Sequence, residues 1–158
     1  MGVAGAGKTT VGRALSNALC WTFYDGDELH SAANVDKMRG GQPLTDEDRQ
    51  PWLDKLNGIV ADVERRGTHA VLACSALKEE YRAALLPQGV SEDAVRYVYL
   101  DVAPDVLYQR LRDRSHFFPP ELLDSQLSTL EKPEDAVRVD GTQPVADIVR
   151  LVRESLRV

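Results

Sequence analysis

The sequence predicts a three-layer α/β domain, a parallel sheet with helices on both faces. Three observations lead there. Short apolar, strand-like runs alternate with amphipathic helical ones along the chain, and parallel strands need the long crossovers that helices supply. A glycine-rich loop runs directly into the first helical pattern. The length of 158 residues, 43% of them hydrophobic, suits one domain (1–158) with one core.

The elements follow in order. Residues 8–19 read as a helix that starts inside the glycine loop, and 22–25 as a short strand. Residues 46–66 read as a long helix, with Asp46 as N-cap and Gly67 as its stop. Residues 70–73 are a buried strand, and 77–86 a helix ending before Pro87. Residues 95–101 are the next strand. Pro104 suits the first turn of a helix reaching about Arg114. A helix over 119–130, a strand over 137–140 and a closing helix over 144–157 complete the pattern. One element is wanting. A loop of this type joins a strand to a helix, yet it begins at Gly2. The first, central strand of the sheet is therefore expected to be missing from this chain through a shortened N-terminus.

Composition narrows the function. The formal charge of −6 argues against a general nucleic-acid binder and leaves room for a local basic pocket. No apolar run reaches the ~18–20 residues that span a membrane, and no signal-peptide pattern is visible. Cys20 and Cys74 lie far apart in apolar runs, with no disulfide or zinc spacing. They read as reduced core thiols of a cytoplasmic protein.

Gly2, Val3, Ala4, Gly5, Ala6, Gly7, Lys8 and Thr9 satisfy G-x-x-x-x-G-K-[ST] in full. Glycines let the backbone curl so that several N–H groups face one anion, and the following helix adds its positive end. This is the phosphate-binding P-loop of ATP-using enzymes. Lys8 can reach the β- and γ-phosphates, and the Thr9 hydroxyl can ligate Mg²⁺. Thr10 completes the nucleotide-binding run.

Asp25-Gly26-Asp27 follows a predicted strand. Residues two apart on extended backbone point to one side, so both carboxylates can face the crevice where open α/β sheets bind ligands. Asp25 would then hold Mg²⁺ through its waters. Asp27 would orient an acceptor hydroxyl and take its proton. Taken alone, the same residues read as a turn with Asp27 capping a helix from Glu28. The strand at 70–73 favours the first reading. It ends in Cys74-Ser75 where an aspartate would usually serve the metal.

Together these residues resemble the gluconate kinase family of small P-loop carbohydrate kinases. The resemblance runs through Gly2–Thr9, Asp25–His30, Asn34, Lys37-Met38 and Gly41–Leu44. It continues in Asp46–Leu53, Cys74–Lys78, Tyr81-Arg82, His116-Phe117, Ser125-Gln126 and Leu130-Glu131. It implies a P-loop kinase fold and the reaction ATP + D-gluconate → ADP + 6-phospho-D-gluconate. It also implies a homodimer. Gluconate is a carboxylate with several hydroxyls and needs cationic donors at one end. His30, Arg49, Ser75 and Lys78 are the candidates, while Trp52 either walls the pocket or packs in the core. Residues 110–124 look like the lid of these kinases. Arg110 and Arg114 share one helix face and would close on the phosphates, with 117–120 as a hinge. Residues 140–144 match the loop that lies against adenine in the related kinases. The rivals are another small P-loop kinase, shikimate-like or nucleotide-directed, and an inactive, truncated nucleotide-binding form.

Overall fold

The computed structural model describes residues 1–113 and 119–158. Four strands and seven α-helices alternate among them. In chain order they are α1 (Lys8–Leu19), β1 (Thr22–Asp25), α2 (Ala32–Arg39), α3 (Asp46–Arg65), β2 (Ala70–Ala73) and α4 (Glu79–Ala84). Then come β3 (Val98–Asp101), α5 (Pro104–Arg112), α6 (Leu123–Thr129), β4 (Val137–Asp140) and α7 (Val145–Leu156). Short 3₁₀ turns lie at Gly26–Leu29, Glu92–Ala94 and Pro120–Leu122. β1 pairs in parallel with β2, Thr22 opposite Ala70, and β3 with β4, Val98 opposite Val137.

The layers follow from the two-residue period of the strands. Val71 packs into a core with Val11 and Leu15 of α1, Leu107 of α5 and Ile148 and Val152 of α7. Its neighbour Leu72 packs into a second core with Trp52, Leu53 and Leu56 of α3 and Tyr81 of α4. One strand thus feeds both faces, which makes the fold three-layered.

The predicted strands over 22–25, 70–73 and 137–140 and the helix over 8–19 have the observed bounds. Other boundaries move. Thr45, not Asp46, caps α3. Its hydroxyl accepts from Asp48 N–H at 3.2 Å while its own N–H donates to the Asp48 carboxylate at 2.8 Å, a closed capping box. Gly67 does follow the helix, with φ +60°. The strand expected from residue 95 begins at Val98, after the 3₁₀ turn ending at Ala94. Cys20 is exposed at the left-handed end of α1, so it is not a core thiol. Cys74 is buried, and burial pushes its thiol pKa up.

The two parallel pairs meet through the first two residues. The Met1 amine donates to Val98 O at 2.5 Å, and Leu100 N–H donates to Met1 O at 3.0 Å. Gly2 N–H donates to Ser75 O at 3.2 Å, just past β2. The amine is buried, and the cost of desolvating its charge lowers its pKa from 8.0 to about 6. Between those values the unfolded chain binds the proton and the folded chain does not. This group should therefore cost no stability above pH 8, and a penalty of about 2–3 kcal/mol should build up as pH falls towards 6. Urea unfolding from pH 6 to pH 8 checks this. Equal stability at pH 6 and pH 8 would contradict the burial of this amine against Val98.

Candidate active site

The phosphate loop is shaped by glycine where other residues are strained. Gly5 has φ +81° and Gly7 φ +98°, both left-handed. Gly7 caps α1, whose first turn carries no side-chain cap and no acid. Its N–H groups and positive dipole end are left for an anion. The loop's own apolar side chains, Val3, Ala4 and Ala6, are buried beneath it. Lys8 folds back over the loop, its ammonium donating to Val3 O at 3.1 Å.

Beside the loop, the Thr9 hydroxyl donates to the Asp25 carboxylate at 2.8 Å. The other Asp25 oxygen accepts from Asp27 N–H at 3.2 Å and caps the 3₁₀ turn over Gly26–Leu29. The capping acid is therefore Asp25. Asp27 is left to line the cleft. The turn itself is clamped. A Cβ on Gly26 would lie 2.9 Å from Ala73 O, and the buried Trp52 indole donates to Gly26 O at 2.7 Å. Trp52 thus does both of the things considered for it. It belongs to the core and it walls the cleft. Thr9 and Asp25 supply hard oxygens next to the phosphate cradle, a donor set that suits Mg²⁺. Among the described residues no three or more His, Cys, Asp or Glu are grouped so as to hold a metal ion by themselves. An ion that keeps its waters and takes phosphate oxygens needs no such group.

One cleft joins the loop to the acceptor candidates. Lys8, Thr9 and Thr10 line it at one end, and Asp27, His30, Arg49 and Ser75 complete it. Met38, Pro43 and Leu44 add an apolar wall. His30 stacks on Trp52, centroids 4.7 Å apart and planes 10° from parallel. Its Nδ1 is buried without a hydrogen-bond partner among the described residues. Burial lowers its pKa, Asp27 opposes that shift and Arg49 adds to it, so all three share one neighbourhood. Arg49 is held by one nitrogen, which donates to Leu44 O at 2.7 Å and to the Tyr81 hydroxyl at 3.3 Å.

Lys78 and Arg110 are not in the cleft lining. Lys78 pairs with Asp46 at 3.0 Å and Glu80 at 2.9 Å. Arg110 donates to Gly5 O at 3.2 Å and Gly141 O at 2.9 Å. It ties the phosphate loop to the turn after β4. Arg114, His116, Phe117 and Phe118 lie outside the described residues. Beyond them, Leu122, Ser125 and Gln126 enter the cleft wall, and the Gln126 side-chain oxygen accepts from Ala4 N–H at 2.6 Å. The role of Gln126 against the loop was missed in sequence, although Ser125-Gln126 belongs to the resemblance that pointed there.

A model of the family described as "Shikimate kinase" matches residues 4–154. The gluconokinase of Gluconobacter oxydans is 44% identical over 97% of this chain and 87% of its own length. The chain belongs to the gluconokinase family. Among solved structures, a gluconokinase from Sinorhizobium meliloti 1021 is 40% identical with a TM-score of 0.82, over 99% of this chain and 89% of that one. An unliganded sugar kinase from Janibacter sp. HTCC2649 has a TM-score of 0.89 at 35% identity, over 100% of this chain and 92% of that one. This family member is thus a P-loop kinase whose phosphate loop and acceptor candidates open on one cleft. No helix among the described residues is long and apolar enough to cross a membrane.

The two carboxylates should separate by experiment. Asp25→Asn should shift the Mg²⁺ requirement upward, because a hard cation loses a charged ligand shell. Asp27→Asn should keep nucleotide affinity and the Mg²⁺ midpoint while lowering turnover. Titrations of activity against Mg²⁺ check both. Midpoints equal to that of the unmodified chain in both variants would contradict the division of roles.

Proposed function

We propose that this kinase transfers the γ-phosphoryl group of ATP to the terminal hydroxyl of D-gluconate, giving 6-phospho-D-gluconate. The carrying observation is the single cleft. It presents an anion cradle at one end and a carboxylate, an unpartnered imidazole nitrogen and a guanidinium at the other. Gluconate is complementary to that set, with a hydroxyl to hand over, further hydroxyls to hydrogen-bond and a carboxylate to pair. The family relatives bearing the name gluconokinase support the same reading.

The loop N–H groups and Lys8 hold the nucleotide phosphates. Mg²⁺ held beside Thr9 and Asp25 would neutralise charge on those phosphates. Asp27 orients the acceptor hydroxyl and accepts its proton as the bond to phosphorus forms. His30 offers Nδ1 to a substrate hydroxyl, and Arg49 takes the carboxylate. Ser75 adds a hydroxyl at the end of β2. Most of the rate then comes from positioning and charge stabilisation. Arg110 acts through the loop it pins. Arg114 is the candidate for closing on the phosphates. The enzyme acts in the cytoplasm, where ATP is supplied, and as a homodimer.

ADP release should require gluconate in a panel that also holds shikimate and nucleoside monophosphates. Shikimate belongs in it because the matching family model carries that name. Turnover with shikimate and none with gluconate would overturn the acceptor. Turnover with nothing in the panel would favour a nucleotide-binding protein without catalysis. Lys8→Ala should lower kcat/KM by ~10²–10³, the usual loss for one preorganised charge-stabilising group. Near-normal turnover in that variant would place the chemistry elsewhere.

A further inference from the structure

Four residues from two helix starts meet behind the acceptor end of the cleft. Asp46 and Arg49 stand on the first turns of α3. Tyr81 stands on α4, and Lys78 is the N-cap residue directly before that helix. The Tyr81 ring is 3% exposed, with the Arg49 guanidinium carbon 5.4 Å and the Lys78 ammonium 5.1 Å from its centre. Its hydroxyl donates to Asp46 and accepts from Arg49 at 3.3 Å. Lys78 donates to both Asp46 oxygens, at 3.1 and 3.0 Å.

The consequence is a competition for one carboxylate. Asp46 receives two contacts from Lys78 and one from Tyr81, and Arg49 stays 3.9 Å from it. The hydrogen bonds of Asp46 thus go to Lys78 and Tyr81, and the contacts of Arg49 to Leu44 O and the Tyr81 hydroxyl both use the same nitrogen. The guanidinium has five N–H donors in a planar fork. Among the described residues its other nitrogens carry no hydrogen bond, which leaves an edge that can meet an incoming carboxylate two bonds at a time.

We propose that Tyr81, Asp46 and Lys78 are positioning residues for Arg49, and that Lys78 raises acceptor affinity from outside the cleft by keeping Asp46 off the Arg49 guanidinium. This rests on the reading of Arg49 as the gluconate-carboxylate site. It gives Lys78, which pairs with Asp46 outside the cleft lining, an indirect route to gluconate affinity in place of the direct contact expected of it.

The test is steady-state kinetics on the full chain, with thermal unfolding of each variant as the check on folding. Lys78→Met should raise the gluconate KM roughly tenfold, the scale of one charge-assisted hydrogen bond, with kcat and the ATP KM within about twofold of the unmodified chain. Lys78→Arg should restore the KM. The deciding variant is the double one. Asp46→Asn added to Lys78→Met removes the competing charge, so KM should return towards the starting value. A lysine that touched substrate directly would give no such rescue, and a double variant as poor as the single one would overturn the proposal. Tyr81→Phe should raise KM in the same way, with kcat retained. Arg49→Ala separates the two layers of inference. If it leaves the gluconate KM unchanged, the reading of Arg49 fails. If it raises KM while Lys78→Met does not, the reading stands and the positioning proposal falls.

Discussion

The site depends on backbone approaching backbone more closely than any side chain allows. A Cβ on Gly2 would stand 3.0 Å from Leu100 O, and one on Gly5 3.3 Å from Leu107 O. One on Gly141 would stand 2.6 Å from the Val102 side chain and 3.1 Å from Ala6 O. The phosphate loop is thus seated against β3, α5 and the turn after β4 at three points. Interiors are packed too tightly to yield at such contacts without cost. The loop's N–H groups can be held in place only because its underside is fixed, and a cradle acts on charge only when it is fixed before the charge arrives. The hydrogen bonds of Arg110 to Gly5 O and Gly141 O brace the same junction.

The acceptor end is built on the same plan with different parts. Trp52 holds the Asp25-Gly26-Asp27 turn through Gly26 O and stacks under His30. One buried aromatic thereby sets both a carboxylate and an imidazole. α2 is docked onto the start of α3 by Asn34, which donates to Asp48 O at 2.7 Å, and by the Lys37–Asp48 pair. That junction brings Met38 and Leu44 to the cleft as an apolar wall. A chain of net charge −6 therefore carries a compact cationic and apolar recess, and small-anion recognition is a local matter here.

What could be read from sequence follows from how local each cause is. α1 and the strands β1, β2 and β4 were legible because apolar patterning and turn residues bound them directly. α2 was not, because 32–39 is half polar with no long apolar stripe and is stabilised by the Ser31 cap and by Asp48 from the next helix. The two acids were placed near the metal and the acceptor by assuming extended backbone. The 3₁₀ turn from Gly26 breaks that assumption, and it is the Asp25 side chain that caps it. Lys78 and Arg49 look alike in sequence, as cations near helix starts. Only the fold shows that Arg49 faces the cleft while Lys78 turns to Asp46 and Glu80. Tyr81, which touches both side chains, lies 32 residues from Arg49. No local pattern could link the two.

The most direct measurement is a crystal structure of the full chain with Mg²⁺, a non-hydrolysable ATP analogue and gluconate. The expected result has the β- and γ-phosphates on the loop and Lys8, with the ion beside Thr9 and Asp25. The terminal hydroxyl of gluconate should lie within hydrogen-bond reach of Asp27 and its carboxylate on the free edge of Arg49. Gluconate bound with its carboxylate towards Asp27, or outside the cleft altogether, would contradict the assignment of the site.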